Sequence, residues 1–447
     1  MNLFLLFSFG GLMHAARSFG AGGEPGSSGT SLALGYLLIT GYFAGVIAKR
    51  VGLPKLTGYL VVGMLVGPSS LGLVSRPMLE SLDLVNGMAV AMIALTAGTE
   101  LHIARIRPLI RVVAAITVFA VLGTTLLLAA AVWFTRSLLP FMADMEEHKA
   151  LSVAMVLGIV MVAQSPAVVV ALRDELRADG PVARTALAVV VLADLVVIFL
   201  FAAFSTIAKA AFGANTNLSE TVATLAWEIG GSLVAGLLVG IVLIVYLSKV
   251  KQGTPLFLLA VTFVVAEVGG RVEFDPLLVA LSAGAFVSNA SEYADALHEH
   301  LQISALPVYV LFFCVAGATL HLDALAVVWL PAALFVAVRA SGLLLGTRIA
   351  ARVAHAAPAV GRYAGFGLLP QAGLALALSL LFSRTFPEFG EQASALTLSV
   401  VGLNELLAPV AYRMALVRSG EAGREPARAS DGSGKWEQLQ EAPASQG

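Results

Sequence analysis

Long apolar runs, bounded by charged residues or by Pro/Gly clusters, follow one another along almost the whole chain. Hydrocarbon offers no partner to a backbone N–H or C=O, so runs of about 20 such residues must cross it as helices. The boundaries predict thirteen spans, near 31–48, 53–73, 84–103, 110–134, 150–172, 184–208, 222–247, 255–270, 276–290, 303–320, 326–347, 361–383 and 393–415. An all-α polytopic membrane protein is the expected fold class.

Composition agrees with that reading. Of 447 residues, 58% are hydrophobic and 12% charged, with a net charge of -1 and a mean hydropathy of +0.90. Ordinary globular domains carry about 25% charged residues. The near-neutral balance, with basic residues scattered in short loops, gives no case for a nucleic-acid partner. Cys314 is the sole cysteine, which excludes an intrachain disulfide and a thiolate cluster and leaves it as a small core residue.

Charge asymmetry orients the chain. Sixteen Lys and Arg fall in the loops of one side, from Lys49 and Arg50 through Arg173, Arg177 and Arg184 to Arg418, against seven on the other. This places the N-terminus outside and the C-terminus in the cytoplasm, with a bacterial inner membrane as the expected location. Residues 1–16 (MNLFLLFSFGGLMHAA) are too short to span; they have the apolar core of a signal peptide but no Lys or Arg before it. A Gly/Ser-rich stretch completes the segment 1–30. The transmembrane domain covers 31–418, and the Gly-, Ala-, Ser- and Pro-rich tail 419–447 reads as a disordered cytoplasmic segment.

Two spans are interrupted alike. The fifth contains AQSPAVVV with Pro166, and the twelfth contains GFGLLPQAGLALAL with Gly365, Gly367, Pro370 and Gly373. Proline lacks an N–H and clashes with the preceding turn, so both helices should unwind locally. An offset of seven spans reverses orientation, making these equivalent parts of an inverted-topology repeat, about 31–208 and 255–415. Two ordinary proline kinks are the plainer alternative.

Asp194 is the only ionisable residue in the apolar run Thr185 to Ile207. A carboxylate there is expensive to keep charged, and its default reading is an ion or proton site. Burial disfavours the charged form and a nearby cation favours it, so such a group can trade a proton for a metal ion. Unwound backbone at Gln164, Ser165 and Pro166, and from Gly367 to Gln371, would add oxygen ligands. Arg339, apolar on both sides, needs a carboxylate or carbonyl partner because guanidinium stays charged. Glu100, Glu228 and Glu405 lie nearer span ends and read as interfacial; Glu267 lies four residues before Arg271, the spacing of an interfacial ion pair. His102 and His321 flank span ends, while His298 and His300 lack the spacing of a helical zinc site and no HExxH occurs. Neither a metalloenzyme nor any other enzyme is indicated, and no cofactor is expected.

Several segments carry a family resemblance: GYLVVGMLVGPSSLGLV (58–74), TAGTELHIARIRP (96–108), AEVGGRVEFDPLLVALSAGAFVSN (266–289), FCVAGATLHLDAL (313–325) and NELLAPVAYRMAL (404–416). Together they resemble the monovalent cation:proton antiporter superfamily, most closely its cation:proton antiporter-2 branch of Kef-type and Nap-type proteins. The resemblance implies a sodium/proton antiporter fold and a homodimer, in which a scaffold domain holds a moving core domain with two crossed, broken helices. It places 163–172 and 368–378 at those helices, and the ion-binding pair, Asn-Asp or Asp-Asp in relatives, on Ala193 and Asp194. Arg339 falls where relatives carry a core Lys or Arg.

Relatives with two acids pair the first with the core Lys and tend to move net charge. Ala193 removes that partner, so the resemblance implies electroneutral exchange of one sodium or potassium ion for one proton, with Arg339 meeting another acceptor such as Glu267 or Glu100. A potassium efflux pathway, an organic-anion symporter on a related fold, and a transport-inactive scaffold stay open beside it.

Overall fold

The computed structural model describes residues 30–213, 218–250, 252–272, 274–320 and 322–424. The expected signal segment and the chain from 425 onward lie outside the described residues. Among the described residues every regular element is helical.

In chain order the principal helices are α1 (Thr30–Arg50), α2 (Lys55–Val66), α3 (Asp83–Glu100) and α4, which joins Ile110–Ile116, a π-helical turn Thr117–Leu122 and Gly123–Phe134. Then follow α5 (Glu147–Val162), α6 (Pro166–Leu176), α7 (Pro181–Ala211), α8 (Leu218–Lys249), α9 (Thr254–Val272) and α10 (Pro276–Ala290). The chain ends with α11 (Ala294–Thr319), α12 (Leu322–Val353), α13 (Pro358–Tyr363, continuing as a 3-10 segment Ala364–Leu368), α14 (Gly373–Thr385) and α15 (Gly390–Arg418). Seven helices are long and apolar enough to cross a bilayer, two bent pairs raise this to nine, and four shorter apolar helices occupy further positions. Each predicted run has a counterpart, with α5 and α6 sharing the fifth and α13 and α14 the twelfth.

The helices sort into two groups. α1 to α3 pack with α8 to α11, while α4, α5 and α7 pack with α12 to α15, and α6 touches both α3 and α7. The first group is held by backbone contact. A Cβ on Gly98 would collide with the Leu281 carbonyl, and one on Gly284 with the Leu95 carbonyl, so α3 and α10 approach as closely as main chains allow. The same holds for Gly63 against Cys314 and Gly317 against Leu60, where α2 meets α11. Small residues at a helix crossing permit this proximity, and dispersion between backbones then holds the pair in lipid. The two crossings are equivalents under the inverted repeat, since a shift of seven spans carries the third and ninth onto the tenth and second.

Helix α7 is fixed at its start by the residues that follow α15. Pro181 occupies the first turn, where its missing N–H costs nothing. The next two N–H groups, of Val182 and Ala183, donate to the Glu421 carboxylate at 2.7 and 2.8 Å. Asp179 N–H donates to the Glu421 carbonyl at 3.2 Å and Gly423 N–H to that of Leu176 at 2.9 Å. Residues Ser419 to Arg424, assigned by composition to a disordered tail, are therefore folded: a carboxylate at a helix N-terminus satisfies donors that would otherwise lack partners.

Gly284→Val is expected to lower the stability of the purified protein by about 1 to 3 kcal/mol through overpacking, read as a drop in thermal midpoint in detergent. Gly35→Ala, at a position with open space around it, should not.

Candidate functional site

Both interruptions predicted from proline are present. α5 ends at Val162, Ala163 and Ser165 are extended, and α6 starts at Pro166 with the Ser165 hydroxyl accepting from Val168 N–H at 3.4 Å. The second break separates the 3-10 segment Ala364–Leu368 from α14, with a bend of 46° between the two halves. Each break leaves carbonyls at the end of the first half-helix and N–H groups at the start of the second.

Arg339, on α12, is fully buried and takes up the carbonyl ends of both breaks. Its Nε donates to the Met161 carbonyl at 2.8 Å and its Nη1 to that of Leu369 at 2.6 Å. Its Nη2 reaches the carbonyls of Ala163 at 3.0 Å, Leu368 at 3.2 Å and Val162 at 3.5 Å. One guanidinium thus meets the negative poles of two half-helices, which a planar fork of five N–H donors can do and an ammonium cannot. Of the two carboxylates expected as its acceptor, Glu267 is not there. Glu267 instead pairs with Arg271 one helical turn away, with Nε to Oε1 at 2.9 Å. Glu100 is the last residue of α3, and its side chain lies outside the described residues. Of the carbonyls expected to ligate an ion, those of Leu368 and Leu369 are taken by Arg339.

Gln371 serves the same crossing. Its Nε2 donates to the Met161 carbonyl at 2.8 Å, and its Oε1 accepts from Asn404 Nδ2 of α15 at 2.7 Å. Pro370 and Gln371 therefore shape and brace the second break.

The opposite, N-terminal ends of the second half-helices border a cavity of about 1050 Å³ that is also lined by Asp194, Gln164 and Ser165. Pro166 and Ala167 bring the start of α6 to it, and Gly373 and Leu374 the start of α14. Asp194 is 3% exposed, and neither carboxylate oxygen has a hydrogen-bond partner. The Gln164 amide is likewise buried with both polar atoms unpartnered. Two positive helix ends and one carboxylate on a single cavity wall make a place where negative charge is tolerated. The cavity runs along α7 from Asp194 to Lys209 and reaches Phe274 and Thr385. On the other side of Asp194 the two helix groups touch: the Glu175 carboxylate of α6 accepts from Lys55 N–H of α2 at 3.0 and 3.1 Å, and Tyr309 of α11 donates to Asp174 at 3.2 Å.

Glu405 differs from its sequence reading. It lies near the middle of the 29-residue α15, is 1% exposed, and both carboxyl oxygens are unpartnered. The apolar run suggested a span ending near 415, whereas the helix continues to Arg418 and is covered by neighbours along its length. Glu228 lines the outer part of the cavity with Lys209. Asp275, unremarked in the sequence because it sits in a short loop before Pro276, also lines it. A DP pair before an apolar run is a helix-start signal, and that signal hides any second role.

An inverted repeat whose two copies each contribute to both groups of helices, with two broken helices beside a buried acid, defines the architecture of a secondary transporter. The family model described as "Sodium/hydrogen exchanger, transmembrane" matches residues 35–417, and the chain belongs to that family. The fold matches that of the sodium proton antiporter MjNhaP1 from Methanocaldococcus jannaschii. The structure at pH 8 has a TM-score of 0.61 at 17% identity, covering 87% of this chain and 98% of that one. An electron-microscopy structure of the same antiporter gives 0.63 at 17% identity, covering 86% and 96%. No curated protein matches. The protein is an integral membrane protein of the cation:proton antiporter class, with a monovalent cation and protons as the substrates its family implies.

Arg339→Met is expected to destabilise the fold by about 2 kcal/mol or more, because buried carbonyls at both breaks lose their donors. Arg339→Lys should recover only part of this, having a point charge in place of a fork; thermal midpoints of the purified proteins compare the two.

Proposed function

We propose that the protein exchanges one sodium or potassium ion for one proton, electroneutrally, with Asp194 holding either in turn. The observation that carries this reading is the Asp194 carboxylate, buried with no partner of its own in the wall of a cavity that two half-helix N-termini also line. A cation and a proton compete for it, and that competition is the coupling. Arg339 supports the one-for-one ratio: its N–H groups are taken up by carbonyls, and among the described residues it holds no carboxylate that a second proton could release. Ala193, where relatives with two acids carry the first, adds no titrating group.

In this reading the cavity is the open side of an alternating-access cycle, and the Glu175 and Tyr309 contacts close the other. The second helix group moves against the first, taking Asp194 from one face to the other. Membership of the cation:proton antiporter-2 branch, assembly as a homodimer, an N-terminus outside and a bacterial inner membrane belong to the same proposal.

Everted membrane vesicles test it. Addition of Na⁺, K⁺ or Li⁺ should dissipate a preformed pH gradient, and Asp194→Asn, which removes the charge at nearly constant volume, should abolish the response while the protein still folds. Cation-dependent exchange in Asp194→Asn sinks the assignment. Where the proton competes, the half-saturating cation concentration should rise about tenfold per unit fall in pH at unchanged maximal rate. In proteoliposomes, ion-gradient-driven current above the Asp194→Asn background would contradict the one-for-one ratio.

A further inference from the structure

The cavity beside Asp194 contains a second carboxylate that comes from the other group of helices. Asp275 precedes α10, half-buried, and its side chain accepts from Leu277 N–H at 2.8 Å as the cap of that helix. Its own N–H donates to Ser232 Oγ of α8 at 2.9 Å, so the residue is fixed from two helices. It lines the same cavity as Asp194. Among the described residues the other charged groups on the cavity wall are Glu228 and Lys209, which makes three acids against one base. A carboxylate offers about four lone-pair sites, so the cap hydrogen bonds from Leu277 and Leu278 N–H leave acceptor capacity toward the cavity. The unpartnered Asp194 shows that this space is built to take a positive charge.

Resting on the antiport reading, we propose that Asp275 is a second cation-binding carboxylate, a waiting site for a dehydrating monovalent cation on its way to Asp194. It supplies from the stationary group the second acid that Ala193 removes from the moving one. Asp275 and Asp194 sit on different groups of helices, so only one conformation of the cycle brings them to a shared cavity. The cation therefore reaches Asp194 with help from Asp275 on this face and without it on the opposite face.

Asp275→Asn separates the two roles of the residue, because asparagine caps a helix as well as aspartate does while carrying no charge. Sodium and potassium chloride are titrated into the purified full-length protein by calorimetry, and exchange is measured in vesicles of both orientations. The expected result for Asp275→Asn is a cation affinity about tenfold weaker. Its half-saturating concentration for exchange should rise by a similar factor on one face only, at a maximal rate within about twofold of wild type. Asp275→Glu should recover the affinity, and Asp275→Ser, another capping residue, should behave like the asparagine variant. Unchanged cation affinity overturns the proposal, as does an equal shift on both faces. So does a shift that vanishes in about 1 M choline chloride, where screening over about 3 Å removes long-range attraction but leaves a contact site. Absence of exchange by the wild-type protein would count against the antiport reading, whereas the calorimetric comparison reads Asp275 by itself.

Discussion

The guanidinium of Arg339 is the interaction on which the site depends. Breaking two helices inside a membrane strands their terminal carbonyls away from water, a cost of a few kcal/mol for each group left unmet. Arg339 meets the ends of both breaks at once, with bonds of 2.6 to 3.5 Å to five carbonyls. By drawing the negative poles to itself, it leaves the positive poles of α6 and α14 at the cavity that Asp194 also lines. The separation of poles follows from geometry, since each break has one end of each sign.

The surrounding structure divides into parts that are rigid for different reasons. The first group of helices is locked by glycines whose partners are backbone atoms, so it resists deformation. The second group is tied through Gln371 and Asn404, which join both breaks to α15, and through Glu421 at the start of α7. Between the groups lie the cavity on one side and the Glu175 and Tyr309 contacts on the other. Few polar contacts bridge them, which suits rigid-body movement of one against the other.

Much of this was legible in advance. Hydropathy alone placed the runs, because backbone satisfaction in lipid permits little besides helices. Pro166 and Pro370 marked the breaks because a missing N–H is a local, covalent fact. Asp194 stood out for the same local reason, as a lone acid in a run of apolar residues. The resemblance carried by short motifs along the chain added the antiporter family, and the family match over 35–417 agrees at that level.

Other assignments depended on partners far away in the chain. Arg339 announced that it needed compensation, but its acceptors lie 29 to 178 residues distant and are carbonyls, which every residue has and no sequence pattern distinguishes. Glu405 read as interfacial because burial is a property of neighbouring helices and not of its own span. Asp275 looked like a helix start and is also a cavity wall. The sequence by itself determined that the chain lives in a membrane, where its helices break and that Asp194 is a costly acid inside a span. Only the tertiary structure decided which charges share a space, because electrostatic interaction depends on distance in three dimensions and the repeat folds distant spans onto one another.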